Sequence, residues 1–244
     1  MTENRINILS TAPLDQQLLQ LAKGRQINIE VIPFIHTKPD LTLQKQQQIL
    51  ELSSQKATVV FTSVNAVTAV CSLFSEPPPW SIYCMENATL NLVRTEFSEA
   101  SVAGYASDAT SLASKIIADK LSESIVFFCG NLRRDELPGL LQQNGIKVEQ
   151  VVVYETQLTP VALNNKYNGI LFYSPSGAES FFSLNKLGSD TTLFAIGETT
   201  AAALRRLSSN NIIVSQRPGK LNLVEAVIAH YKTLNLEDDS EVTK

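Results

Sequence analysis

The chain is poor in the residues that carry most redox, metal and nucleophilic chemistry, with three cysteines and two histidines in 244 residues. Cys71, Cys84 and Cys129 are odd in number and far apart, so they cannot form a complete disulfide framework, and a reducing, cytoplasmic setting is expected. His36 and His230 stand alone, outside any HxxxH or CxxC spacing, so no metal and no cofactor is expected. His230 falls in the helical run LVEAVIAHYK, where a surface position is expected. A glycine-rich dinucleotide fingerprint is missing, as are the GxxxxGK phosphate loop and the GxSxG nucleophile elbow. No apolar run approaches the ~20 residues a membrane helix needs, and MTENRINILS lacks the apolar segment of a secretory signal. Cations are not in excess either: 20 Lys and Arg against 24 Asp and Glu give a net charge of -4, which argues against broad nucleic-acid binding. An enzyme of this composition would work by positioning and electrostatics.

What is present is a rhythm. Hydrophobic residues make up 44% and charged ones 18%, the balance of a soluble globular protein. Apolar, β-rich runs at 6–9, 27–35, 58–63, 81–85, 101–106, 124–129, 148–156, 169–174, 192–197 and 211–216 alternate with helix-patterned stretches. That alternation predicts α/β architecture with parallel sheets, ten strands in two units of five. An internal repeat supports the division: at an offset of 111, VVFTSVNAVTAV from Val59 lies on ILFYSPSGAESF from Ile170 without a gap. The same offset matches Thr89 with Thr200, Arg94 with Arg205 and Leu112 with Leu223. With small gaps, INILSTAPLDQQLLQLAKGRQINIEVIPF resembles SIVFFCGNLRRDELPGLLQQNGIKVEQVVVY. The order is pair, triplet, pair, triplet, which suits either tandem domains or a middle domain inserted into one formed by both chain ends. The polar, Pro-containing linkers 36–42 and 157–169 bracket the middle block and favour insertion. The acidic end, from 236 to 244, reads as a disordered tail.

Several strand-to-helix turns would share the carboxyl rim of their sheets, where ligands of parallel α/β folds bind. In YSPSG, Ser176 is expected to cap the following helix and Gly177 to let the backbone approach a ligand. The rim also collects TSVN (62–65), ENAT (86–89), CGN (129–131) and GETT (197–200). Helix-start N–H groups there favour carboxylates or phosphates. Arg133 and Arg134 are placed in the first turn of a helix, as a fork for a carboxylate or as part of a solvated face with Asp135 and Glu136. Tyr154, in VVVYET, is either strand packing or a phenol able to donate to a leaving oxygen.

Taken together, FTS at 61–63, NAT at 87–89, FFCGNLRRDELPGLLQQNGI at 127–146, VYET at 153–156, FYSPSG at 172–177 and AIGETTAAAL at 195–204 resemble the uroporphyrinogen-III synthase family over nearly the whole chain. The resemblance implies two flavodoxin-like parallel-sheet α/β domains joined by a two-stranded β-ladder, a bilobal molecule with an interdomain cleft. Residues 1–34 and 157–244 would form the first domain and 35–156 the inserted second. It implies cyclisation of hydroxymethylbilane, a linear tetrapyrrole with eight carboxylates, to uroporphyrinogen III through a spiro intermediate that inverts ring D, as a step of haem biosynthesis. No cofactor or metal is implied. The expected catalytic residue is Tyr154. The expected substrate-binding residues are Ser63, Asn65, Thr89, Asn131, Arg133, Ser174, Ser176, Gly177, Thr199 and Thr200. The implied partners are the substrate and, transiently, the hydroxymethylbilane synthase that supplies it; nucleic acid and membrane are not expected, and a monomer is. Two positions depart from the family pattern: Glu86 replaces a common glycine before NAT, and Val64 replaces the proline of TSP. The rival reading is a non-catalytic two-domain hinge-type binding protein or a degenerate synthase.

Overall fold

The structure is a computed structural model that describes residues 6–120 and 124–241. The chain divides into two compact units, Met1–His36 with Gln157–Lys244, and Thr37–Thr156. In chain order the elements are β1 (Ile6–Ser10), α1 (Gln16–Lys23), β2 (Ile27–Val31), β3 (Ile35–Pro39), α2 (Leu43–Ser53), β4 (Ala57–Phe61), α3 (Val64–Cys71), β5 (Trp80–Met85) and α4 (Ala88–Glu96). They continue with β6 (Val102–Ala106), α5 (Ala109–Asp119), β7 (Ser124–Gly130), α6 (Glu136–Gln143), β8 (Lys147–Leu158) and β9 (Gly169–Phe172). The chain closes with α7 (Pro175–Phe182), β10 (Thr192–Ala195), α8 (Glu198–Leu207), β11 (Ile212–Val214) and α9 (Lys220–Glu241).

The strands are near-continuous apolar runs because helices cover both faces of each sheet. In the second unit Val59, Phe61, Val126 and Phe128 face α2, α3 and α4, while Val60, Ile125 and Phe127 face α5 and α6. In the first unit Leu9, Ile170 and Phe172 face α7 and α8, and Ile8, Leu171 and Phe194 face α1 and α9. One strand's alternation therefore feeds two cores.

The first sheet has the order β11-β10-β9-β1-β2 and the second β3-β8-β7-β4-β5-β6. Leaving out β3, the two orders superimpose when β9, β10 and β11 are matched to β4, β5 and β6, and β1 and β2 to β7 and β8. These are the pairings of the sequence repeat, joined in a different order. The register agrees too. Ile170 pairs with Leu193 and Phe172 with Ala195, while 111 positions earlier Val59 pairs with Ile82 and Phe61 with Cys84. Helix α3 at 64–71 likewise falls on α7 at 175–182. The agreement stops at β6, where a register shift between Ile82 and Tyr83 slides the strand. Gly104 is required beside that shift, since a Cβ there would lie 2.8 Å from Tyr83 Cε1.

One expectation changes. The run 27–35 is two strands rather than one, because Pro33 has no N–H to continue a ladder. Ile32 N and Phe34 N on either side of it donate to Ser10 O and Thr11 O. At the other end, α9 spans Lys220–Glu241, and of the expected tail residues 242–244 lie outside the described residues.

Phe128 is fully buried, stacked on Phe61 at 5.3 Å and tilted against Trp80 at 5.7 Å between ring centroids. Phe128→Ala should therefore cost about 3–5 kcal/mol. Trp80 is the chain's one tryptophan, so its fluorescence in a urea titration reports this core; a loss below about 1 kcal/mol would contradict the packing described.

Candidate active site

A parallel strand delivers its chain to the same end of the sheet each time, so the first turns of the following helices gather on one rim per unit. In the second unit, Ser63 caps α3, its Oγ accepting from Asn65 N at 3.1 Å. Asn65 itself is exposed in the first turn. Next to it, beyond β5, Thr89 lies in the first turn of α4 and is buried. On the other side of β4, strand β7 ends in Gly130, and Asn131 follows it beside Tyr154 of β8. Tyr154 is half-buried, packed against the core of Phe61, Phe128 and Val153. Asn131 N donates to Tyr154 O at 3.2 Å, and its side chain bonds both backbone groups of Thr156, at 3.2 and 2.8 Å. Ser63, Asn65, Thr89, Asn131 and Tyr154 thus share one rim.

Arg133 belongs to that rim but not where expected. Helix α6 begins at Glu136 with Asp135 as its N-cap, so Arg133 and Arg134 precede the helix in the turn from β7. This spares them the unfavourable end of the helix dipole. Arg133 is exposed, with its Nε donating to Gln150 Oε1.

The first unit repeats the arrangement. Ser174, not Ser176, caps α7: Ser174 Oγ accepts from Gly177 N at 3.1 Å, and Pro175 takes the first helical position, where a missing N–H costs nothing. Ser176 Oγ lies 3.1 Å from Ser174 Oγ. Gly177 is buried, and a Cβ there would meet Ser174 Oγ at 3.3 Å, so its smallness serves the cap rather than ligand approach. On α8, Thr199 is exposed and Thr200 buried, the latter equivalent to Thr89. The N-cap Gly197 contributes no side-chain bond to α8. Its counterpart in the other unit is Glu86, and there the next residue, Asn87, has φ 64° and ψ -122°, a conformation that favours glycine.

Sequence reasoning missed a group beside this first-unit rim. Ser10 Oγ donates to Ala12 O at 2.7 Å and lies 3.1 Å from Tyr173 Oη, while Thr11 Oγ1 donates to Leu171 O at 2.7 Å. Burial pushes the Tyr173 phenol up to about 12, which keeps it protonated at neutral pH. Two exposed cations, Arg217 and Lys220, flank the start of α9, and Lys220 Nζ donates to Pro13 O at 2.8 Å. The sequence signal was QRPGK directly after an apolar run. The equivalent corner of the second unit is acidic, with Asp108 capping α5.

The thiols are poor nucleophiles. Burial pushes Cys84 and Cys129 up to about 11, and Cys71 is also raised, chiefly by burial. His230 is half-buried rather than on the surface, its ring 5.6 Å from Phe194 and 4.8 Å from Tyr231, and burial lowers its pKa. Among the described residues, no cluster of three or more His, Cys, Asp or Glu is placed to hold a metal ion, and no helix is long and apolar enough to cross a membrane.

Two measurements check these caps. Ser174→Ala should destabilise by about 1 kcal/mol, and Ser176→Ala by less than about 0.5 kcal/mol; equal losses would contradict the assignment. Asp108 is held below the usual carboxylate range, first by the N–H and then by the hydroxyl of Ser111. A depressed folded pKa contributes stability above the unfolded value of 3.8 and loses it as pH falls through the folded value. The stability advantage of the wild type over Asp108→Ala, from denaturant melts, should therefore be full near neutrality and shrink below pH 3.8; an advantage that grows in acid would refute it.

The family model for uroporphyrinogen-III synthase HemD matches residues 16–225. The uroporphyrinogen-III synthase of Saccharomyces cerevisiae is 26% identical over 173 residues, covering 60% of this chain and 63% of the yeast protein. The match therefore spans less than two thirds of that relative. In fold, the chain is similar to uroporphyrinogen-III synthetase from Helicobacter pylori, with TM-score 0.63 and 16% identity over 92% of this chain and 99% of that one. It is likewise similar to a mutant uroporphyrinogen III synthase from Thermus thermophilus, with TM-score 0.67 and 14% identity over 94% and 99%. The family match begins at the first helix and ends inside the last, taking in every site residue expected from the sequence, and so the chain belongs to the uroporphyrinogen-III synthase HemD family.

Proposed function

We propose that this protein is a uroporphyrinogen-III synthase that closes hydroxymethylbilane to uroporphyrinogen III with loss of one water and inversion of ring D. The observation that carries the reading, beside family membership, is the duplicated rim: each unit presents capped helix starts, a buried threonine in the first turn of the next helix, and small polar groups. Helix-start N–H groups suit carboxylates, each contact contributing about 0.3–1 kcal/mol where exposed. A polycarboxylate therefore needs many of them. Arg217 and Lys220 add positive charge on the first unit's rim, whereas Glu86 and Asp108 make the second rim less favourable for anions.

Tyr154 is the proposed acid. The C–O bond of the ring-A hydroxymethyl breaks, the phenol proton accompanies the departing oxygen as water, and the pyrrole nitrogen supplies electrons for the azafulvenium carbon. Ring D then attacks through its substituted carbon, and the spiro intermediate opens and recloses inverted. Unassisted closure joins the ends without inversion. The protein's contribution is thus to hold ring D so that the substituted carbon is the nearer nucleophile, an effect of geometry more than of acid strength. Ser63, Asn65, Thr89, Arg133, Ser174, Ser176, Thr199 and Thr200 are proposed to bind substrate through rim donors, while Gly177, whose N–H is held by Ser174 Oγ, keeps the cap in place. In this reading the protein acts in the cytoplasm as a monomer, with a transient contact to hydroxymethylbilane synthase.

The test supplies hydroxymethylbilane from a coupled hydroxymethylbilane synthase, oxidises the products and separates uroporphyrin isomers by chromatography. The wild type should give predominantly type III. Tyr154→Phe should slow turnover by about 10²-fold, with type I rising as spontaneous closure overtakes the enzyme. Type I at the no-enzyme level from the wild type would overturn the proposal and leave a non-catalytic binding protein.

A further inference from the structure

Where β7 meets β8 the ladder slips by one residue: Cys129 pairs with Val152, but Gly130 pairs with Tyr154, leaving Val153 as the extra residue. A bulge of this kind re-aims the side chains beside it. The Tyr154 ring lies directly across Gly130. A Cβ at position 130 would fall 2.5 Å from Cζ, 2.6 Å from Cε2 and 2.8 Å from the phenol oxygen. The hydroxyl end of the ring, the end proposed to react, is therefore the part seated on the glycine backbone.

Asn131 completes the seat. Its N–H holds Tyr154 O, its Nδ2 donates to Thr156 O and its Oδ1 accepts from Thr156 N. The side-chain amide thus imitates a strand residue, pairing both backbone groups of Thr156 and fixing β8 just beyond the tyrosine. With those bonds made, one donor hydrogen and spare acceptor capacity remain on the amide.

We infer that Gly130 and Asn131 are positioning residues for Tyr154: together they set the height and direction of its phenol, and Asn131 acts through β8 rather than by binding substrate as the sequence suggests. This inference rests on Tyr154 being the acid proposed above. Its cost follows from geometry, because a misplacement of about 1 Å at a reacting group can lower turnover by about 10²-fold.

The experiment combines isomer-resolved kinetics with thermal unfolding of Gly130→Ala, Tyr154→Ala, their double variant, Asn131→Ala and Asn131→Asp. Gly130→Ala and Asn131→Ala should each lower kcat by roughly 10- to 100-fold with KM within about twofold, the signature of a lost transition-state contribution. Asn131→Asp, which keeps the acceptor and loses the donor, should fall between Asn131→Ala and the wild type. In the Tyr154→Ala background, Gly130→Ala should lower neither kcat nor Tm further, because the clashing ring is gone. Losses that add in the double variant, or Asn131 variants that raise KM at unchanged kcat, would overturn the inference. If the wild type itself made no type III product, the synthase reading would fall. The Tm cycle would still report whether Gly130 and Tyr154 are coupled.

Discussion

Parallel pairing is the constraint on which the rest depends. A parallel strand cannot return by a tight turn; it must cross over, and a right-handed crossover places a helix on one face of the sheet. Every such helix starts at the carboxyl end of the strand before it. The buried apolar runs of β4, β7, β9 and β10 therefore do more than build cores: they fix which end of each unit holds the helix starts. Ser63, Thr89, Ser174 and Thr200 lie far apart in sequence, yet each falls at the start of such a helix.

The duplication shows which features the two units share. Two copies joined in different orders keep the same β4–β5 and β9–β10 register, the same serine caps and the same buried threonine, all at one offset. What differs is charge and backbone. Gly197 in one unit corresponds to Glu86 in the other, followed by a strained Asn87, and the cations around the α9 start correspond to a capping aspartate. The shared serines are caps, a requirement of the helix starts themselves, whereas the buried threonines are not. Divergent positions, Arg217, Lys220 and Glu86 among them, are where the two rims acquired different electrostatic character. In the second unit the bulge of β8 also places Tyr154, the acid proposed above, beside Gly130 and Asn131.

Much of this was legible from the residues. Apolar runs locate most strands, and the offset of 111 matches β4 with β9 and β5 with β10, whose pairing register agrees. The misses have physical causes. Pro33 was read through, although a residue without an N–H interrupts a ladder. The cap of α7 was put at Ser176, although Pro175 signals that the helix begins at the proline and that the residue before it caps. Arg133 and Arg134 are expected in the first turn of α6, but the cap at Asp135 leaves them outside the helix. Asn131 is expected to bind substrate; that its amide pairs with Thr156 is not legible in the sequence, since the partner lies 25 residues away and only the fold brings them together. His230 packs against Phe194 and Tyr231, contacts that the run LVEAVIAHYK does not reveal by itself.

The central claim is that backbone donors at the helix starts of both rims receive the carboxylates of the ligand. Amide hydrogen exchange, read by mass spectrometry with and without uroporphyrinogen III, tests it most directly. Slowed exchange confined to the first turns of α3 and α4 in one unit and of α7 and α8 in the other is the expected result. Protection of the opposite, amino-terminal ends of the strands, or none at saturating ligand, would contradict it.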